Sequence, residues 1–182
     1  MEFLSSPPVS QALLDRAARI RLACFDVDGT LTDGRLYLDG HGVEAKSFHV
    51  LDGQGLVLLR RHGIEVALIT ARQGKVVEHR AGELGIGAYQ GVKDKLGQLH
   101  QLCQARGIGL DEVSFMGDDL PDLACLRSVG LAVVPANAHP WTAAAAHWTT
   151  TLSGGMGAAR EVCDLLLHAQ GKVAAVIEGF AP

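Results

Sequence analysis

The chain has no stretch reaching the roughly 18 consecutive apolar residues that a membrane-spanning helix needs. Its most apolar late run, "LAVVPANAHPWTAAAA", is interrupted by Pro135, His139 and Pro140. Basic clusters are missing as well. Sixteen Lys and Arg stand against 20 Asp and Glu, a formal charge of −4, and no segment gathers positive charge as a nucleic-acid or anionic-membrane patch does. The opening "MEFLSSPPVSQALL" has neither a positive start nor a long apolar centre, so it does not read as a secretory signal. No CxxC pair occurs. Cys24, Cys103, Cys125 and Cys163 lie far apart in apolar contexts, which predicts buried free thiols and fits a reducing cytoplasm. There is no internal repeat and no linker. At 182 residues the chain is long enough to close one core, so a single domain over 1–182 is expected.

What is present is an alternation of apolar strands and amphipathic helices. Strands are predicted over 20–25, 64–70, 113–117 and 131–134, with a short one near 88–90. Helices are predicted over 10–18, 55–63, 74–85, 95–107, 121–130 and 158–170. Residues 34–50 read as a β-hairpin, with Leu36 and Leu38 alternating and Asp39-Gly40 as the turn. Residues 171–182 read as a mobile C-terminal tail. The pattern implies a doubly wound α/β fold with a mostly parallel sheet covered on both faces, whose chemistry collects at the carboxyl ends of the strands.

That edge is where the polar residues fall. The first strand runs into Asp26 and Asp28, the second into Thr70, and the third into "GDD", Asp118 and Asp119; Lys93 and Lys95 follow the short strand. Converging carboxylates repel by about 4 kcal/mol per pair at 4 Å and an effective dielectric near 20. A divalent cation removes that cost, and an all-oxygen set without His or Cys favours Mg²⁺ over zinc. With a hydroxyl and an ammonium beside it, such an edge has the parts that phosphoryl transfer needs.

In order, "DVDGT", "LIT", a downstream lysine and "GDD" resemble the four motifs of haloacid dehalogenase superfamily phosphatases, over about residues 20–165. The resemblance implies a Rossmann-like sheet. It makes Asp26 the nucleophile, Asp28 the acid–base, Thr70 a donor to the phosphoryl oxygens and Lys95 the charge neutraliser. Spacing to the family's lysine favours Lys95 over Lys93. It also implies Mg²⁺ held by the Asp26 carboxylate, the Asp28 carbonyl and Asp118, with Asp119 in support; a cap on the helix beginning near Pro121 is the lesser reading of Asp119 and is compatible with that role.

Only about twenty residues separate "DGT" from the next helix, so no cap domain is expected beyond the hairpin. The further pattern "SFHVLDGQG", "YQGVKDK", "MGDDLPD", "ANAHP" and "GGMGAAREVCDLLL" is similar to the 3-deoxy-D-manno-octulosonate 8-phosphate (Kdo 8-phosphate) phosphatase family of lipopolysaccharide synthesis. That family implies a sugar-acid phosphate substrate and a homotetramer built through the hairpin. It also implies substrate contacts from Arg72 and, across a subunit interface, Arg80. Arg72 separates this pattern from relatives acting on nonulosonate 9-phosphates, where Glu stands; those, and a broader set of sugar phosphates, are the alternative substrates. Leu51 and Met156 stand where the family often has arginine. A signalling receiver domain uses similar residues, but its phosphorylated aspartate follows the third strand. A dead scaffold would lack the nucleophile, and Asp26 is present. The plain expectations are that Asp33 stabilises the turn into the hairpin, that His139 is a loop hydrogen-bonder, and that Trp141 and Trp148 pack.

Overall fold

A computed structural model describes residues 9–181. The opening segment judged above lies outside the described residues through residue 8, as does Pro182 at the end of the tail. The chain runs α1 (Gln11–Ala17), β1 (Leu22–Phe25), β2 (Tyr37–Leu38), β3 (Glu44–Ala45), α2 (Val50–Arg61), β4 (Glu65–Ile69), α3 (Lys75–Leu84), β5 (Gly87–Tyr89) and α4 (Lys95–Arg106). It continues through β6 (Val113–Met116), α5 (Leu123–Leu126), β7 (Leu131–Val134), α6 (Pro140–Ala143), β8 (Trp148–Thr149), α7 (Ala158–Ala169) and α8 (Val173–Glu178). Six strands form one sheet in the order β5-β4-β1-β6-β7-β8, every pair parallel. The hairpin β2-β3 is a separate antiparallel pair.

Strand alternation explains why the sheet is covered twice. Ala23 and Phe25 of β1 point into a core shared with Leu56, Leu59, Val77, Val162 and Leu166 of α2, α3 and α7. Leu22 and Cys24 point the other way, to Leu99, Cys103, Cys125 and Leu126 of α4 and α5. All four residues of each inner strand β1, β6 and β7 are buried, as expected when both faces carry helices. The four cysteines are buried and free. Among the described residues no helix is long and apolar enough to cross a membrane.

Several elements differ from expectation. Helix α2 starts at Val50, not 55, because Gly53 and Gly55 mask its pattern. A Cβ at Gly53 would run into the Arg80 guanidinium, and one at Gly55 would stand 3.0 Å from the Cys163 side chain, so both serve close packing. The predicted helix over 121–130 is a 3-10 turn, Leu120–Asp122, followed by the short α5. Beyond α7 the chain forms a further helix, α8, after Gly171 (φ +67°) reverses it, with Lys172 Nζ donating to the His62 carbonyl at 2.6 Å. Trp148 packs on the core, but Trp141 is 70 % exposed. With His139 as the cap residue and Pro140 opening α6, Thr142 turns inward and Trp141 outward, edge-on to His139.

Candidate active site

The central strand sets the site. Asp26 N–H continues the ladder to the Met116 carbonyl at 2.8 Å, so the Asp26 side chain leaves the sheet at the carboxyl end of β1, beside β6. The chain then turns tightly, the Val27 carbonyl accepting from the N–H groups of Leu31 and Thr32 at 2.9 and 3.1 Å. Gly29 at φ +92° makes that turn possible, and the Asp118 carboxylate lies where a Cβ would be. Glycine thus serves both the conformation and the close approach of the two acidic loops.

Lys95 begins α4 and is almost wholly buried. Its Nζ donates to Asp26 Oδ1 and to Asp122 Oδ1, each at 2.6 Å. Asp122 in turn accepts the backbone N–H of Asp118 at 3.1 Å and of Asp119 at 3.4 Å through Oδ2. Asp118 is held by the Thr30 hydroxyl, donating at 3.3 Å, and its carbonyl accepts from His139 N–H at 2.9 Å. Burial, and then the Asp122 carboxylate, push the Asp26 acid up to about 7 against the pull of Lys95. Burial and Asp122 likewise push Asp118 up to about 6. Burial works against the Lys95 ammonium, but Asp26 and Asp122 outweigh it and raise its pKa.

Carboxylate oxygens of Asp26, Asp118 and Asp122 lie within 4.8 Å of one another. Three carboxylates against one ammonium leave two negative charges when all are ionised, which matches a divalent cation. The donors are all oxygen, so the set suits Mg²⁺. Since both Asp122 oxygens are engaged, Asp26 and Asp118 are the side chains free to hold it.

On the other side of the turn, Asp28 Oδ1 accepts from Lys46 Nζ, and Arg72 Nε stands 3.8 Å from Oδ2. Glu44 Oε1 joins both cations, accepting from Lys46 at 3.1 Å and Arg72 Nη2 at 2.8 Å. Thr70 is buried at the end of β4, and its hydroxyl accepts from Arg72 N–H at 3.3 Å. The structure therefore brings Asp26, Asp28, Thr70, Arg72, Lys95 and Asp118 to one edge of the sheet. Lys93 is exposed.

Asp119, expected in support of the metal shell, does not face the cluster from within. It is exposed at the cap of the 3-10 turn, and Asp122, four residues after Asp118, takes the buttressing place. Arg80 is not drawn to the Asp26 edge; it lies over the Phe48 ring at 5.8 Å and pairs with Glu83 at 3.2 Å. Asp33 accepts from the Tyr37 hydroxyl at 2.7 Å and the Arg35 N–H at 3.0 Å, a turn role, and His139 accepts from Trp141 N–H at 3.3 Å. Lys46, Glu44 and Asp122 lay outside the sequence reading. Asp122 had a signal, an acid one turn beyond "GDD"; the hairpin pair had only its alternation.

This sheet, with its acidic edge and buried lysine, defines a haloacid dehalogenase-like hydrolase, and the family profile of that description matches residues 89–160. A Kdo 8-phosphate phosphatase (KdsC) of Yersinia pestis is 46 % identical over 167 residues, covering 91 % of this chain and 89 % of that protein. The structure of a hypothetical protein from Xanthomonas campestris superposes with a TM-score of 0.97 at 56 % identity, covering all of both chains. That of a Moraxella catarrhalis Kdo 8-phosphate phosphatase in complex with magnesium, phosphate and Kdo superposes at 0.90 with 42 % identity, covering 93 % of this chain and 98 % of that one. The chain belongs to the Kdo 8-phosphate phosphatase family.

Proposed function

We propose that this protein is a Mg²⁺-dependent phosphomonoesterase that hydrolyses Kdo 8-phosphate to Kdo and inorganic phosphate in lipopolysaccharide synthesis. The observation that carries the reading is the buried Asp26–Lys95–Asp122 chain beside Asp118, at the strand edge of a chain 46 % identical to a Kdo 8-phosphate phosphatase. Asp26 attacks phosphorus and forms an aspartyl-phosphate, which splits one hard displacement into two. Asp28 gives a proton to the departing sugar oxygen, then takes one from the water that cleaves the aspartyl-phosphate. Lys95 fixes the Asp26 oxygen it touches and sets positive charge beside the phosphoryl group, and Thr70 offers its hydroxyl to the phosphoryl oxygens. Asp26, Asp118 and the Asp28 carbonyl hold the metal, which when bound neutralises charge on the phosphoryl oxygens. Arg72 beside Asp28 suits the sugar acid, since its planar fork holds a carboxylate at two points.

The same reading makes the protein a cytoplasmic homotetramer assembled through the hairpin insertion 34–50, with Arg80 reaching a neighbour's substrate. Support comes from Leu36, Tyr37, Leu38 and Val43, all exposed on a two-stranded hairpin. Among the described residues nothing beyond the hairpin is inserted over the site, and in this reading a neighbouring subunit closes it. The test is phosphate release with Mg²⁺ from Kdo 8-phosphate, sialic acid 9-phosphate and common hexose phosphates. A kcat/KM preference of about a hundredfold for Kdo 8-phosphate, about 2.7 kcal/mol of discrimination, is expected; a flat profile overturns the substrate.

A further inference from the structure

The Asp28 carboxylate is asymmetric. Its Oδ1 is taken by Lys46, whereas Oδ2 is buried and has no hydrogen-bond partner; the Arg72 Nε at 3.8 Å is too far to donate. Lys46 has little freedom to do anything else. Only 3 % of its side chain is exposed, and it also donates to Glu44, whose acceptor oxygen is pinned by Arg72. Residues 44 and 46 are alternate positions running off β3, so both side chains leave the same face of the hairpin. The hairpin thus carries a lysine to the end of β1 and locks it there. A buried carboxylate oxygen left without a partner is costly, and such atoms are kept where chemistry uses them.

We propose that Lys46 is the positioning residue of the acid–base: by engaging Asp28 Oδ1 it leaves Oδ2 as the oxygen that moves the proton. This rests on the reading of Asp28 given above. As the bond from Asp26 to phosphorus forms and the bridging P–O bond breaks, the Oδ2–H bond breaks and its proton goes to the departing sugar oxygen. The electron pair stays on Oδ2. When water attacks the aspartyl-phosphate, Oδ2 takes the water's proton, the Asp26–phosphorus bond breaks, and inorganic phosphate leaves. Lys46 keeps its own protons throughout. Glu44 acts one step further out, holding Lys46 at the angle that keeps Oδ1 occupied.

The test compares leaving groups. Kdo 8-phosphate releases an alkoxide that needs a proton; 4-nitrophenyl phosphate releases a phenolate that does not. Because kcat/KM covers only the steps through departure of the leaving group, it isolates this transfer from the later hydrolysis. Lys46→Met should lose about a hundredfold or more in kcat/KM on Kdo 8-phosphate, the usual range for a misplaced general acid. On 4-nitrophenyl phosphate it should lose less than about fivefold, and Lys46→Arg should recover most of the alkyl-ester rate. Equal losses on both esters, or none on either, overturn the proposal. Should Lys46→Met fail to fold by circular dichroism, Glu44→Gln must move the ratio of the two rates in the same direction, and an unchanged ratio overturns it equally. If the wild-type enzyme prefers another sugar phosphate, that ester replaces Kdo 8-phosphate, so a wrong substrate and a wrong role for Lys46 give different results. A wild type that turns over no alkyl phosphate overturns both.

Discussion

Asp26 is placed where a carboxylate is least comfortable, inside the protein and one lysine away from a second buried acid. Its pKa of about 7 and the value of about 6 for Asp118 describe a site that holds protons until something positive replaces them. Below about pH 7, Mg²⁺ has to displace one proton, and below about pH 6 a second. The apparent Kd for Mg²⁺ should therefore rise about tenfold per unit between pH 7 and 6, and toward about a hundredfold per unit below that. Calorimetric titration at several pH values, in buffers of different ionisation enthalpy, reads both the affinity and the protons released; a pH-independent Kd contradicts the assignment. The stability sign follows. A carboxyl whose folded pKa is raised contributes stability below its ordinary value near 3.8, and this is lost as pH climbs through about 7. In EDTA the Tm should fall from pH 5 to 8, and the gain on adding Mg²⁺ should be larger at pH 8 than at pH 5. Asp26→Asn removes the nucleophile and the charge together. Turnover should drop by at least about a thousandfold, while Tm in EDTA at pH 8 stays level or rises. Retained turnover in clean protein would sink the nucleophile.

At the scale of elements, the "DGT" turn is held from behind. A Cβ at Gly154 would run into the Gly29 carbonyl, so the loop before α7 lies directly on that turn. Asn137 Oδ1 takes Gly154 N–H at 2.8 Å, and the buried Asp52 accepts Gly157 and Arg160 N–H at 3.3 and 2.8 Å, capping α7 from the first turn of α2. Asp52→Ala leaves those donors unpaired and should cost about 2 kcal/mol, or about 4–8 °C in Tm for a chain of this size. It should also lower kcat as the loop slackens from Gly29; a melting curve beside a kcat measurement separates the two effects. The strands that carry the site were legible because β1, β4 and β6 are short and mostly apolar, with Asp26 and Thr70 directly after the first two and Asp118 one glycine after the third. Order along the chain then sufficed to bring these to one edge with Lys95. The start of α2 was not legible, since Gly53 and Gly55 are there to admit Arg80 and α7, and tertiary packing overrides helix propensity. Asp122 was hidden in a Pro-containing turn. Glu44 and Lys46 carry no signature beyond their alternation; only the placement of the hairpin over the end of β1 gives Lys46 its partner Asp28.

For the molecule as a whole, the proposed tetramer turns on the hairpin. Two residues per strand make a pair that is marginal alone. Leu36, Leu38 and Val43 are more than half exposed, on or directly beside the two strands of the hairpin. In the proposed tetramer, pairing with hairpins of other copies would cover both faults, and light scattering should then give four times the chain mass at micromolar concentration. Leu38→Glu, a charge on an exposed strand leucine, should break the assembly. The side chains proposed for catalysis, Asp26, Asp28, Thr70, Lys95 and Asp118, meet within one chain, whereas Arg80 is tied to Phe48 and Glu83, away from Asp26 of its own chain. Dissociation should therefore act on substrates unequally. KM for Kdo 8-phosphate should rise at least about tenfold, as expected when about 1.4 kcal/mol of contacts from a neighbour is lost. Hydrolysis of 4-nitrophenyl phosphate, which has no sugar acid for a neighbour to hold, should fall much less. A wild type that is monomeric, or a Leu38→Glu monomer with an unchanged KM for Kdo 8-phosphate, would mean that each chain closes its own site and that Arg80 serves only to pack α3 on α2.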